Sequence, residues 1–207
     1  MKHFLNTLIC IFIPFVLSAQ IAVPDNAALG EAMKEASVEH LTFKGVPICG
    51  NVDTFEKLLQ EKGFTTVLKE DDGRAMKGAF AGKDITLLVL ATPLTHTVWK
   101  AVACFEEKNS WTSLKGEYLT MRESLREKYG KPDNSYEFFS SPYYEGDGYE
   151  IWENIKSKNP ASTNSIGSIA ISIDASGTKG QVSIAYEDGA GTELAKAERN
   201  SVRNEDL

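Results

Sequence analysis

Apolar residues recur at steps of three and four through Trp111, Leu114, Tyr118, Met121 and Leu125, the stripe of a helix that buries one side. Lys115, Arg122, Glu123 and Arg126 fall off that stripe and read as its solvated face. Tyr129-Gly130-Lys131-Pro132 ends the helix, with glycine past the last turn and proline after it. A second helix is expected over 52–62, capped by Asn51, with Val52, Phe55, Leu58 and Leu59 on its apolar side and Gly63 as its stop. A shorter Ala-rich helix is expected over 26–38 behind Asp25, carrying Leu29 and Met33.

Elsewhere the period falls to two. Ile169, Ile171 and Ile173 alternate with Ser168, Ala170 and Ser172, and Val182, Ile184 and Tyr186 alternate with Ser183 and Ala185. Such strands put one face on a core and the other in water. Further strands are expected over 64–69, 75–80, 85–91, 98–105, 135–139 and 149–154. Glu70-Asp71-Asp72-Gly73 and Gly82-Lys83-Asp84 serve as turns. These short connections require antiparallel hairpins, because a parallel return needs a crossover of about a dozen residues. Residues 40–44 read as extended, with a turn at Gly45-Val46-Pro47. The tail over 191–207 is polar, with a helix expected from Thr192 and fraying from Asn200.

The element order is helix, four strands, helix, four strands. It predicts a two-layer α+β domain built as a pseudo-repeat, with halves at about 41–106 and 107–190 and helices on one face of an antiparallel sheet. One strand breaks the alternation. Residues 85–90 are apolar on both faces, and Trp99 lies opposite Val98. A strand apolar on both sides needs a cover on each. Helices supply one; the C-terminal tail, a second subunit or a partner must supply the other.

The N-terminus changes the setting. Lys2, an apolar run from Phe4 to Leu17 and the small pair Ser18-Ala19 form a secretory signal peptide over 1–19, followed by a helical segment over 20–40. The run is too short to span a bilayer, and the mature part has no second one. The chain is therefore expected outside the cytoplasm, periplasmic or extracellular. Its net charge of −7 without a basic cluster disfavours nucleic acid and anionic membrane surfaces as partners. In an oxidising compartment Cys49 and Cys104 invite a disulfide; two buried thiols are the alternative.

Candidate chemistry is sparse. His40 and His96 lack ligands at metal-binding spacing, and the acidic turns Glu145-Gly146-Asp147-Gly148 and Asp71-Asp72-Gly73 are too short for a calcium loop. There is no Gly-x-Ser-x-Gly elbow, no His-Glu-x-x-His and no P-loop, so no catalytic residue and no cofactor is assigned. Cys104 shares strand parity with Val98 and Val102, which points to burial. Tyr136, Phe138, Phe139, Tyr143, Tyr144, Tyr149 and Trp152 crowd beside Glu145 and Asp147, a composition suited to a sugar ring or a protein hot spot. The strand members read as core, leaving Tyr143, Tyr144 and, in the first sheet, Trp99 as partner-binding candidates.

Three segments carry a resemblance. Leu41-Thr42-Phe43-Lys44-Gly45-Val46-Pro47-Ile48 with Phe55-Glu56-Lys57-Leu58, then Lys128-Tyr129-Gly130-Lys131-Pro132, and the ending Glu205-Asp206-Leu207 are similar to a group of uncharacterised exported proteins of gut anaerobes. The order of elements resembles the β-lactamase inhibitor protein family, whose tandem repeats present a concave sheet to another protein. That resemblance implies binding and supplies no catalytic residue. The sequence is read as an exported, non-enzymatic binding protein of the cell envelope for a protein or glycan. The alternative is an envelope glycan hydrolase whose carboxylate pair the sequence does not identify.

Overall fold

The computed structural model describes residues 39–135, 137, 158–164, 167–176 and 179–205. The expected signal peptide, the helix over 26–38, the strand over 149–154 and both Tyr143 and Tyr144 lie outside these residues.

The described part opens with a small hairpin, β1 (Thr42–Phe43) and β2 (Val46–Pro47), paired antiparallel. Its turn is Lys44-Gly45, at φ +50° and +78°, the positive values a two-residue type I′ turn requires. Val46 and Pro47, expected in the turn, are therefore the returning strand. Next come α1 (Val52–Glu61), β3 (Thr65–Glu70), β4 (Gly73–Phe80), β5 (Lys83–Ala91) and β6 (Val98–Cys104). Asn51 caps α1 as its sequence predicts, accepting the Asp53 amide at 2.9 Å. After α2 (Trp111–Tyr129) follow β7 (Lys158–Asn164), β8 (Gly167–Ser176), β9 (Lys179–Asp188) and α3 (Gly189–Glu205).

Strands β3 to β9 form one antiparallel sheet in the order β3-β4-β5-β6-β9-β8-β7. The fold is α+β. α1 packs over β3, β4 and β5, and α2 over β8 and β9. Between helices and sheet lies a core of Met76, Leu87, Val89, Ala101, Ile171 and Ile184, closed by Leu59 and Leu114. Phe43 stands at its centre, with ring centroids 5.0 Å from Phe80, 5.6 Å from Tyr186 and 6.0 Å from Phe64. Among the described residues no helix is long and apolar enough to cross a membrane.

Two sequence expectations change here. α3 begins at Gly189, three residues earlier than expected, because Asp188 caps it: the Gly191 amide donates to its Oδ2 at 3.0 Å. The helix then runs on to Glu205. The parity of β6 also breaks. Leu90 pairs with Lys100 but Ala91 pairs with Val98, so Trp99 is the extra residue of a β-bulge. Val98 is thereby turned into the core with Ala101 and Ala103, while Val102 and Cys104 face the other way.

Candidate functional site

The sheet face turned away from α1 and α2 carries three long cross-strand rows at its centre, read directly from strand register. The middle row is apolar: Leu68, Ala75, Leu88, Val102, Ala185 and Ala170, each opposite the next. On one side runs Thr86, Cys104, Ser183 and Ser172. There Ser183 donates to Asp174 at 2.8 Å and lies 2.9 Å from the Ser172 hydroxyl. On the other side runs Leu90, Lys100, Glu187 and Ser168, in which Lys100 and Glu187 form an ion pair. Directly opposite residues touch, so the middle row is a continuous apolar band.

The described helices leave this band uncovered at its β3–β5 end. Leu68 is 55% exposed and Leu88 40% exposed, although leucines that alternate with them in β5, such as Leu87, are fully buried. A groove of about 340 Å³ runs there, floored by Leu68, Ala75, Leu88 and Leu90 and walled by Pro93 and Arg199. Glu70 and Asp72 add two carboxylates to its lining. The double-sided apolar pattern of β5 is thus explained by the open face and not by a second buried layer.

Trp99 adjoins this region but is not presented freely. The bulge places it beneath α3, where the Arg199 guanidinium lies 4.8 Å from its ring centroid. Gly191 comes so close that a Cβ there would sit 2.9 Å from Trp99 Cβ and 3.0 Å from its Cα. Trp99 Nε1 is buried without a hydrogen-bond partner.

Cys49 and Cys104 are both half-buried free thiols. Cys49 precedes Gly50, whose carbonyl accepts the Val98 amide at the start of β6, whereas Cys104 ends that strand. Six residues of strand separate them, roughly 20 Å, against the 7 Å or so that a disulfide spans between Cα atoms. The structure therefore does not bring the pair together. Burial pushes both thiols above their ordinary value, with Asp188 adding to the effect at Cys49 and Asp174 at Cys104. That is opposite to what an activated nucleophile needs.

Four carboxylates that patterning did not single out are buried: Glu56, Glu117, Asp188 and Glu198. Asp188 accepts the Leu41 amide and His40 Nδ1, each at 3.0 Å, besides capping α3. Glu117 faces Lys83 at 3.1 Å through Oε1, while its Oε2 is buried without a partner. Glu198 reaches from α3 to the β5–β6 loop, accepting the Leu94 amide at 2.7 Å, the Thr95 amide at 3.2 Å and the Thr95 hydroxyl at 2.6 Å. Only Asp188 carried a legible signal, an Asp directly before a helical segment. Among the described residues no group of three or more metal-ligating side chains comes together.

Two of these carboxylates, Glu198 and Glu56, set an acid limit on stability. Burial pushes Glu198 upward, but the Thr95 hydroxyl and the Leu94 and Thr95 amides outweigh it and hold it below its ordinary 4.5. Glu56 behaves alike: burial raises it, and bonds from Thr66, Arg74 and Lys69 bring it below 4.5. A carboxyl depressed by folding binds fewer protons in the native than in the unfolded state, so stability rises with pH through this window. The contribution is complete above 4.5 and is lost as pH falls through the folded values. Urea midpoints measured from pH 6 down to pH 3 are expected to fall only below about pH 4.5, and Glu198→Gln is expected to flatten part of that slope. An unchanged slope in Glu198→Gln would remove Glu198 from the account.

The chain matches no known protein family, no curated protein and no solved structure.

Proposed function

We propose that this chain is a non-enzymatic binding protein that holds a protein partner on the open face of its sheet. The observation that carries the reading is the apolar row from Leu68 to Ala170, which none of the described helices covers at its leucine end. Exposed apolar bands of this kind mark interaction sites on soluble proteins. A protein fits better than a glycan because the floor is aliphatic. Sugar rings stack on aromatic faces, and the tryptophan beside the groove is beneath α3 and Arg199. Glu70 and Asp72 suit a partner that sets Lys or Arg beside its apolar side chains.

The hydrolase alternative fares less well on the described residues. A glycosidase needs one carboxyl with a raised pKa as general acid. The carboxyls that shift here, Asp53, Glu56, Glu106, Glu137 and Glu198, all shift downward. With the signal peptide expected from the sequence, the partner belongs to the cell envelope.

The test compares the chain from Gln20 with its Leu88→Lys variant as bait for envelope proteins. A second variant, Leu119→Lys, changes a leucine on α2 that is 37% exposed. Leu88→Lys is expected to weaken capture of the recovered partner by roughly tenfold or more, the effect of losing a central contact. Leu119→Lys is expected to leave it unchanged, and both variants should keep the wild-type urea midpoint. Equal capture by wild type and Leu88→Lys would move the site off this face.

A further inference from the structure

α3 is attached differently from the other two described helices. α1 buries Val52, Phe55 and Leu59, and α2 buries Leu114, Tyr118, Met121 and Leu125. Along seventeen residues α3 buries only Gly191, Ala195 and Glu198, and its Leu194 is exposed. Most of a helix's stability in a protein comes from packing an apolar face, and this helix buries little of one. Its first turn is fixed by Asp188, through the Gly191 amide and through the Thr192 hydroxyl on the Asp188 carbonyl at 2.7 Å. Beyond that turn, the small buried Ala195, one carboxylate, Glu198 on the 94–95 loop, and one stacked cation, Arg199 on Trp99, hold it down.

What lies beneath is under tension. Trp99 Nε1 is shut away from any acceptor, and a buried orphan donor is costly. The loop that Glu198 grips contains His96 in the left-handed region at φ +52°, with its Nδ1 also buried and unpartnered. Non-glycine residues held there store strain, which collects at sites that switch. Opening α3 gives the Trp99 N–H access to solvent or a partner. It also loosens the loop that holds His96 in this conformation.

We propose that α3 is a displaceable cover over the Trp99 end of the open face, hinged at Asp188 and latched by Glu198. Closed, it ends the groove at Arg199; open, it adds the Trp99 indole to the aliphatic floor. The proposal extends the partner-face reading, yet its test involves no partner.

Hydrogen exchange on the full chain reads the hinge, and acrylamide quenching reads the indole, in a background of Trp111→Phe and Trp152→Phe so that Trp99 alone emits. Two variants act at different points of the helix: Glu198→Ala removes the mid-helix latch, and Gly191→Ala wedges a methyl against Trp99 in the first turn. In the unaltered chain the amides over 192–205 are expected to exchange faster than those of β6 and β9. Each variant should speed α3 exchange by roughly tenfold or more, leave the sheet protected and make Trp99 easier to quench. Exchange of α3 in step with β6 and β9 would show that it is part of the cooperative core, and the proposal would fall. Faster α3 exchange with unchanged quenching of Trp99 would equally overturn it. Neither result touches the Leu88→Lys test, so the two readings fail separately.

Discussion

Arg74→Met is expected to lower the free energy of unfolding by about 3–5 kcal/mol, the cost of leaving one partner of a buried pair alone. The Arg74 side chain is 3% exposed and that of Glu56 9%, so neither charge has appreciable water. Arg74 Nε donates to Glu56 Oε2 at 2.8 Å, one terminal nitrogen donates to Asp53 at 2.6 Å, and the other reaches the Gly73 carbonyl at 2.6 Å and that of Glu70. The Thr66 hydroxyl completes the Glu56 side at 2.7 Å. A single guanidinium thus joins α1 to the β3–β4 hairpin. Without it the Glu56 carboxylate stays buried with only Thr66, Gln60 and the half-exposed Lys69 near it.

The double variant Arg74→Met with Glu56→Leu separates two explanations. If the loss in Arg74→Met comes from the stranded carboxylate, removing that carboxylate recovers most of it, since apolar pairs often replace buried ion pairs at little cost. If the loss comes from packing by the arginine stem, the double variant is no more stable than the single one. Urea unfolding at neutral pH decides between them through the coupling of the two changes. A loss below about 1 kcal/mol in Arg74→Met, the range of exposed pairs, would show that the network is solvated.

The sequence exposes periodic elements well and side-chain partnerships poorly. α1 and α2 follow stripes that repeat along a local segment, and β8 and β9 follow alternation, so each could be read without its neighbours. β7 could not: Lys-Asn-Pro-Ala-Ser-Thr-Asn has no apolar alternation, and its extended state comes from pairing with β8 at the sheet edge. The parity of β6 was legible up to Trp99 and then inverted, because a bulge depends on how two strands meet. Hence Cys104, expected on the face of Val98, turns to the open side. The Arg74–Glu56 pair spans eighteen positions and the Glu198 contacts more than one hundred, distances at which no pattern joins the residues.

The candidate face was legible by half. A strand apolar on both sides signalled that β5 has two interfaces, and the C-terminal segment was one of the covers it allowed. α3 does cover Trp99. That Leu88 stays exposed follows only from the register, which sets it beside Ala75 and Val102, where α3 adds only Arg199 to the groove wall. The same alternation that buries Leu87 presents Leu88, so the core and the partner face are two sides of one strand.

Phe43→Ala is the second substitution expected to cost about 3–5 kcal/mol, the range for removing a buried aromatic ring. Phe43 is 1% exposed and lies on a two-residue strand that makes few backbone bonds of its own. Its ring, with the buried Val46 and Ile48, attaches the β1–β2 hairpin to the core. It touches Phe80 of β4 and Tyr186 of β9, strands on opposite sides of the β5–β6 pair, in a tilted and an edge-on contact. Removing it opens a cavity between the two flanks of the sheet and also loosens the hairpin segment whose Leu41 amide binds Asp188. Leu41→Ala, at the 8% exposed rim of the same cluster, serves as the comparison and is expected to cost less. Urea unfolding of both variants checks the order. A smaller loss in Phe43→Ala than in Leu41→Ala would mean that the Leu41 side chain holds the hairpin more firmly than the Phe43 ring, with the aromatic cluster filling space that neighbouring rings can close.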